Sequence, residues 1–115
     1  MANYLIVGGS SGIGLSLANL LAAEGHQVYA TYNTHYIQSE HDLIRYHPLN
    51  VLDENITLDF LPEILNGIVY CPGSINLRPF DRIKPDDFIA DYHLNVAGAV
   101  KIIQAVLPRL KKSVS

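Results

Sequence analysis

The run NYLIVG, residues 3–8, is almost continuously apolar and stops at a glycine, the pattern of a strand buried on both faces of a parallel sheet. Beyond it, Ile13, Leu17, Leu20 and Leu21 recur at helical spacing, beside Ala18 and Ala22, until Gly25 stops the pattern; one amphipathic helix is predicted. QVYATY (27–32) is β-branched and aromatic and reads as a second strand, and LIRYHPLNV (43–51) holds a third, short one ahead of its proline. The intervening NTHYIQSEHD (33–42) is too polar and short for a full helix. A weak helix is expected around LDFLPEIL (58–65), held to a turn or two by Pro62. NGIVYCPG (66–73) is bounded by glycines and is the fourth strand, with Cys71 read as a buried strand residue.

The longest element opens at KPDDF (84–88), where Pro85 suits a first helical position and Asp86 and Asp87 complement the positive end of a helix. Phe88, Tyr92, Val96, Ala99, Ile103, Val106 and Leu110 follow at spacings of three and four, which predicts a helix from Pro85 to Lys112 with Phe88 and Tyr92 in the core. Arg109, Lys111 and Lys112 suit its negative end, and Pro108 is expected to end or bend the final turn.

With 115 residues, 49% hydrophobic and 17% charged, the chain suits a single domain over residues 1–115 with a core of its own. A formal charge of −3 gives no general attraction to nucleic acid or to an anionic membrane, so partners are sought in a pocket. No apolar run reaches the roughly 18 residues of a membrane span, and no basic segment precedes the first strand. A single cysteine excludes an internal disulfide and suits a reducing compartment, so the expected location is the cytoplasm. His26, His35, His41, His47 and His93 lack the close pairing of usual zinc sites, and no metal is expected.

Strands alternating with helices argue for a parallel sheet covered on both faces, which binds ligands at the carboxyl ends of its strands. Gly8, Gly12 and Gly14 stand there, after the first strand, in a G-x-x-x-G-x-G spacing. Gly8 would allow the turn out of the strand, Gly12 the close approach of a pyrophosphate, and Gly14 tight packing of helix on strand. Free N–H groups at the helix start would face the anion, and Ser10 and Ser11 can donate hydroxyl hydrogen bonds. The loop is not a Walker loop, because no G-K-[ST] follows it.

VGGSSGIG (7–14) resembles the T-G-x-x-x-G-x-G segment of the short-chain dehydrogenases/reductases, and the similarity continues over nearly the whole chain. LNVLD (49–53) looks like that family's Asp-Val segment, IVYCPG (68–73) occupies the place of its N-N-A-G motif, and DYHLNVAGAVKIIQAVLP (91–108) resembles the helix that follows. The resemblance implies a Rossmann-like α/β fold of strand order 3-2-1-4 with helices on both faces. It also implies that Gly8, Ser10, Ser11, Gly12, Ile13 and Gly14 contact the pyrophosphate side of NAD(P), Asn50 and Val51 the adenine, and Gly73 the nicotinamide-side ribose. Asn95 falls on the family's catalytic Asn and would support an active-site water. Val7 replaces the family's threonine, Asn50 its aspartate, and Tyr70, Cys71 and Pro72 its N-N-A, whose side chains tie neighbouring elements together.

Cofactor choice is read at the end of the second strand, where an acid binds the ribose 2′-hydroxyl and a base accepts a 2′-phosphate. Thr31, Tyr32, Asn33, Thr34 and His35 include no carboxylate, which mildly favours NADP, and no Arg or Lys, which keeps NAD open. The family's hydride transfer between carbonyl and alcohol needs a Ser and a Y-x-x-x-K pair, in which the lysine lowers the tyrosine's pKa. None of the seven tyrosines has a lysine four positions later. The chain ends where a fifth strand is expected, so it reads as an N-terminal, cofactor-binding half that is catalytically incompetent alone, its small-molecule substrate site lying in the other half. A dinucleotide-sensing module without reaction, or a folding unit without ligand, are the alternatives. An apolar fourth strand at the sheet edge and the long helix, whose counterpart helps form oligomers in the family, predict self-association.

Overall fold

A computed structural model describes residues 1–33, 37–39, 41–72, 80–82 and 84–112. Strands β1 (Asn3–Val7), β2 (Gln27–Tyr32), β3 (Ile44–Pro48) and β4 (Gly67–Tyr70) form one sheet in the order β3-β2-β1-β4. Every pair is parallel, with Leu5 of β1 opposite Tyr29 on one side and Ile68 on the other. Alternate residues of a strand point to opposite faces, and β1 divides accordingly. Ile6 joins Val28, Ala30 and Ile44 against Ala18 and Ala22 of helix α1 (Gly12–Ala23). Leu5 and Val7 join Val51, Leu58, Leu61 and Leu65 against Ile102 and Val106 of the long C-terminal helix. The sheet is thus covered on both faces, as the alternation of strands and helices predicts.

Helix α1 turns a different face inward from the one its leucines suggest. Ile13 is 82% exposed and Leu20 57%, whereas Gly14, Ala18 and Ala22 are buried and Leu17 and Leu21 flank them. Small residues four apart let the helix backbone lie close over β1 and β2, and the larger side chains then splay to either side.

The helix from Pro85 to Lys112 is continuous but has three parts: α2 (Pro85–Tyr92), a π turn (His93–Ala97) and α3 (Gly98–Lys112). Asp87 accepts the Lys84 N–H at 3.0 Å, which gives the first-turn acid a capping role. Of the predicted stripe, only Val106 and Leu110 pack against the core; Phe88, Tyr92, Val96 and Ile103 are exposed, and the buried line is Gly98, Ile102 and Val106. The helix carries two apolar faces, and the one with glycine at its centre can approach the sheet. Pro108 ends nothing: the helix runs on to Lys112.

Residues 58–65 form no helix, only turns and bends. Pro62 lacks an N–H and its ring disfavours helical backbone at Leu61. Leu58, Leu61 and Leu65 nevertheless plug the core under α3. Arg109 Nε donates to the Pro62 carbonyl at 3.1 Å, the Leu65 N–H donates to the Arg109 carbonyl at 3.2 Å, and Lys112 pairs with Glu63 at 2.5 Å. The basic end of α3 therefore fastens this segment as well as complementing the helix pole. Cys71 is not a strand residue: it follows β4, is half-buried, and donates its N–H to the Val7 carbonyl at 2.9 Å.

Candidate functional site

Between β1 and α1 the chain reverses through Gly8 (φ 81°) and Gly12 (φ 55°), both in the left-handed region that side chains disfavour. A Cβ on Gly14 would fall on the Gly8 carbonyl oxygen, so the first turn of α1 can rest on the loop only because position 14 has none.

Three hydrogen bonds hold the loop to the neighbouring strands. The Gly8 N–H donates to Thr31 Oγ1 at 3.1 Å and the Gly9 N–H to the Thr31 carbonyl at 2.9 Å. Tyr46, on β3, donates its hydroxyl to the Gly9 carbonyl at 2.9 Å. Burial pushes the Tyr46 phenol above its ordinary value of 10.0, which keeps it a donor. Thr31 is buried at the carboxyl end of β2, and its two bonds fix the loop's height above the sheet. Neither Thr31 nor Tyr46 is assigned this part by sequence reasoning; the one signal is a threonine placed where β2 runs beside the first glycine.

Ser11 is the N-cap of α1, extended (φ −154°, ψ 164°) and without a side-chain cap bond, and no acid stands in the helix's first turn. The positive pole of the helix is therefore left to whatever enters the space before it. That space is an open cavity of about 530 Å³ at the carboxyl ends of β1, β2 and β3. It brings together Gly8, Ser10, Ser11, Gly12, Ile13 and Gly14 with Tyr32, Asn33, Asn50 and Val51, and Cys71, Pro72 and Leu94 close its far wall. No Asp, Glu, Lys or Arg is among the described residues that line it. An anion would be held by N–H groups, hydroxyls and the helix pole. A Cβ at Gly12 would meet nothing within 4 Å, so the loop's outer rim is open to a bulky group.

Beyond β3, Asn50 Oδ1 accepts the Leu52 N–H at 3.0 Å, and the Leu49 N–H donates to the Tyr32 carbonyl at 2.8 Å. These bonds set the turn that presents Asn50 and Val51 to the cavity. Burial raises the Cys71 thiol above its ordinary value and keeps it neutral at the wall. Asn95 does not line the cavity; it is exposed in the π turn, next to Leu94, which does. Gly73, Thr34 and His35 lie outside the described residues. Among the described residues no three His, Cys, Asp or Glu side chains gather as a metal site, and no helix is long and apolar enough to cross a membrane.

A family model described as short chain dehydrogenase matches residues 2–115. No curated protein matches the chain. Among solved structures, a short chain dehydrogenase family protein from Francisella tularensis superposes with a TM-score of 0.81 at 23% identity, over 95% of this chain and 46% of its own. The NADPH-bound carbonyl reductase from chicken fatty liver gives 0.81 at 23% identity, over 97% and 49%. A Burkholderia multivorans short-chain dehydrogenase/reductase with bound NADP gives 0.79 at 16% identity, over 92% and 52%. At such identities the likeness is one of fold, and the chain spans about half the length of the solved structures it matches. The sheet order, the glycine loop seated on β2 and β3, and the match along residues 2–115 lead to one assignment: the chain belongs to the short-chain dehydrogenase family.

Proposed function

We propose that residues 1–115 are the cofactor-binding half of an NAD(P)-dependent oxidoreductase that, as a longer protein, transfers hydride between a carbonyl and an alcohol of a small molecule in the cytoplasm. The observation that carries this reading is the uncharged cavity before the uncapped start of α1, with the glycine loop pinned beneath it by Thr31 and Tyr46. When bound, the dinucleotide supplies or accepts the hydride. The chain's own part is to bind and orient it. Backbone N–H groups from Gly12 to Gly14 and the Ser10 and Ser11 hydroxyls hold the pyrophosphate, Tyr32 and Asn33 face the adenosine ribose, and Asn50 and Val51 flank the adenine. Gly73 takes the nicotinamide-side ribose and Asn95 supports a water.

Tyr32 and Asn33 place no carboxylate against a 2′-phosphate, which favours NADP over NAD. NADPH and NADP in the chicken and Burkholderia proteins accord with this preference. Because no Y-x-x-x-K occurs in the sequence, the 115-residue chain binds cofactor without turning substrate over. The replacement of N-N-A by Tyr70, Cys71 and Pro72 favours a second reading, a module that senses dinucleotide without reaction. The exposed Phe88, Tyr92, Val96 and Ile103, with the β4 edge, support self-association of this chain.

Calorimetric titration with NADP and with NAD tests the binding. The wild-type chain should bind NADP more tightly. Gly12→Val, whose branched side chain would stand where the pyrophosphate approaches, should bind neither. No heat with the wild-type chain would mean that the loop is only a connection here, and added carbonyl substrate consumed with NADPH would refute the incompetence.

A further inference from the structure

In an α-helix the Gly98 N–H would take the carbonyl of Leu94, four residues back. Here it donates to His93, five residues back, within the π turn. The Leu94 carbonyl accepts the Tyr70 hydroxyl instead, at 2.6 Å. Tyr70 is the last residue of β4, and its ring packs with Leu94 against the core under α3. The hydroxyl reaches the helix because position 98 is a notch: a Cβ on Gly98 would stand 2.5 Å from Tyr70 Oη and 3.2 Å from both the His93 carbonyl and Val51 Cγ2. Burial pushes the phenol above its ordinary value of 10.0, so it stays a donor at neutral pH.

We propose that Tyr70 is a positioning residue: its bond to Leu94 holds the π turn open and thereby sets the cavity wall formed by Val51, Cys71, Pro72 and Leu94. Each of those residues is mechanically tied to the bond. Cys71 and Pro72 follow Tyr70 in the chain, Leu94 is its partner, and Val51 borders the Gly98 notch. The helix has two registers to choose between. With the hydroxyl present, Leu94 is satisfied and Gly98 bonds His93; without it, the Leu94 carbonyl regains a partner by returning to Gly98, and the π turn closes to α. Closure takes one residue of slack out of the turn and rotates the preceding helix by about 100° relative to α3. Leu94 and Asn95 move together in that change.

The consequence for cofactor affinity rests on the function proposed above; the consequence for the helix does not. The test compares the wild-type chain with Tyr70→Phe, Gly98→Ala and the double variant, reading the Leu94 carbonyl carbon resonance and calorimetric NADP affinity. Tyr70→Phe should keep the wild-type circular dichroism, shift the Leu94 resonance, and weaken NADP by about two- to tenfold. Gly98→Ala should dislodge the hydroxyl and shift the same resonance, and it should add little in the Tyr70→Phe background. An unmoved Leu94 resonance in Tyr70→Phe, or full additivity of the two substitutions, overturns the proposal. Should Tyr70→Phe not fold, an unmoved resonance in Gly98→Ala overturns it equally. A wild-type chain that fails to bind NADP refutes the cofactor reading, while the resonance and the additivity still decide the role of Tyr70.

Discussion

Thr31 carries two of the three bonds that seat the glycine loop, one through its hydroxyl and one through its carbonyl. Thr31→Val keeps the shape and the carbonyl but leaves the Gly8 N–H without its acceptor. An unsatisfied, partly buried donor costs about 1–3 kcal/mol, so the urea midpoint should fall by a corresponding amount and NADP binding should weaken with it. An unchanged midpoint would show that water or a shifted loop replaces the hydroxyl. At this scale the sequence is informative wherever geometry forbids a side chain: the turn at Gly8 and the close packing at Gly14 follow from spacing alone. The parts of Thr31 and Tyr46 do not, because they depend on which residues of β2 and β3 come level with the loop, and strand register is a property of the assembled sheet. Tyr70 is illegible for the same reason, since its partner lies 24 residues away on another element.

Strands were the legible elements, their short apolar runs bounded by glycine, proline or polar residues, and helix faces were not. In the C-terminal helix, periodicity fits a stripe through Phe88 and Tyr92, yet Gly98 admits the sheet on a different side, and a π turn has no hydropathy signature. Residues 58–65 show the complementary case: their leucines are spaced like a helix and buried like one, while Pro62 keeps the backbone irregular. His47 of β3 stacks on Phe60 of this segment, ring centroids 4.1 Å apart and 17° from parallel. Burial lowers the His47 pKa below its ordinary 6.5, and the neighbouring Arg45 charge lowers it further. The folded chain therefore binds this proton less readily than the unfolded one. The contribution of the neutral ring is complete above pH 6.5 and is lost as pH falls through that value toward the lower folded pKa. Thermal melts at about pH 7.5 and about pH 5 should show a larger drop for the wild-type chain than for His47→Phe. Equal drops would place the acid sensitivity elsewhere.

At the scale of the molecule, two apolar surfaces remain uncovered among the described residues. β4 pairs only with β1 in the described sheet, and Phe88, Tyr92, Val96 and Ile103 lie exposed at 41–57% along one side of the long helix. Exposed apolar stripes and unpaired strand edges are surfaces on which chains associate. Sedimentation velocity should show a sedimentation coefficient that rises with loading concentration, and Val96→Asp should return it toward the monomer if the helix is the contact. A concentration-independent monomer would show that neither surface drives self-association. The overall architecture, a 3-2-1-4 parallel sheet with its glycine loop at the strand ends, was readable because the glycine loop and the strand pattern agree on it. Whether that face holds a dinucleotide is decided most directly by adding NADP to the nitrogen-15-labelled chain and following its amide resonances. The largest shifts should fall on Gly8–Gly14 and on Asn50 and Val51. No shift at these amides, or the largest shifts along α3, would mean that the glycine loop and the strand ends hold no dinucleotide.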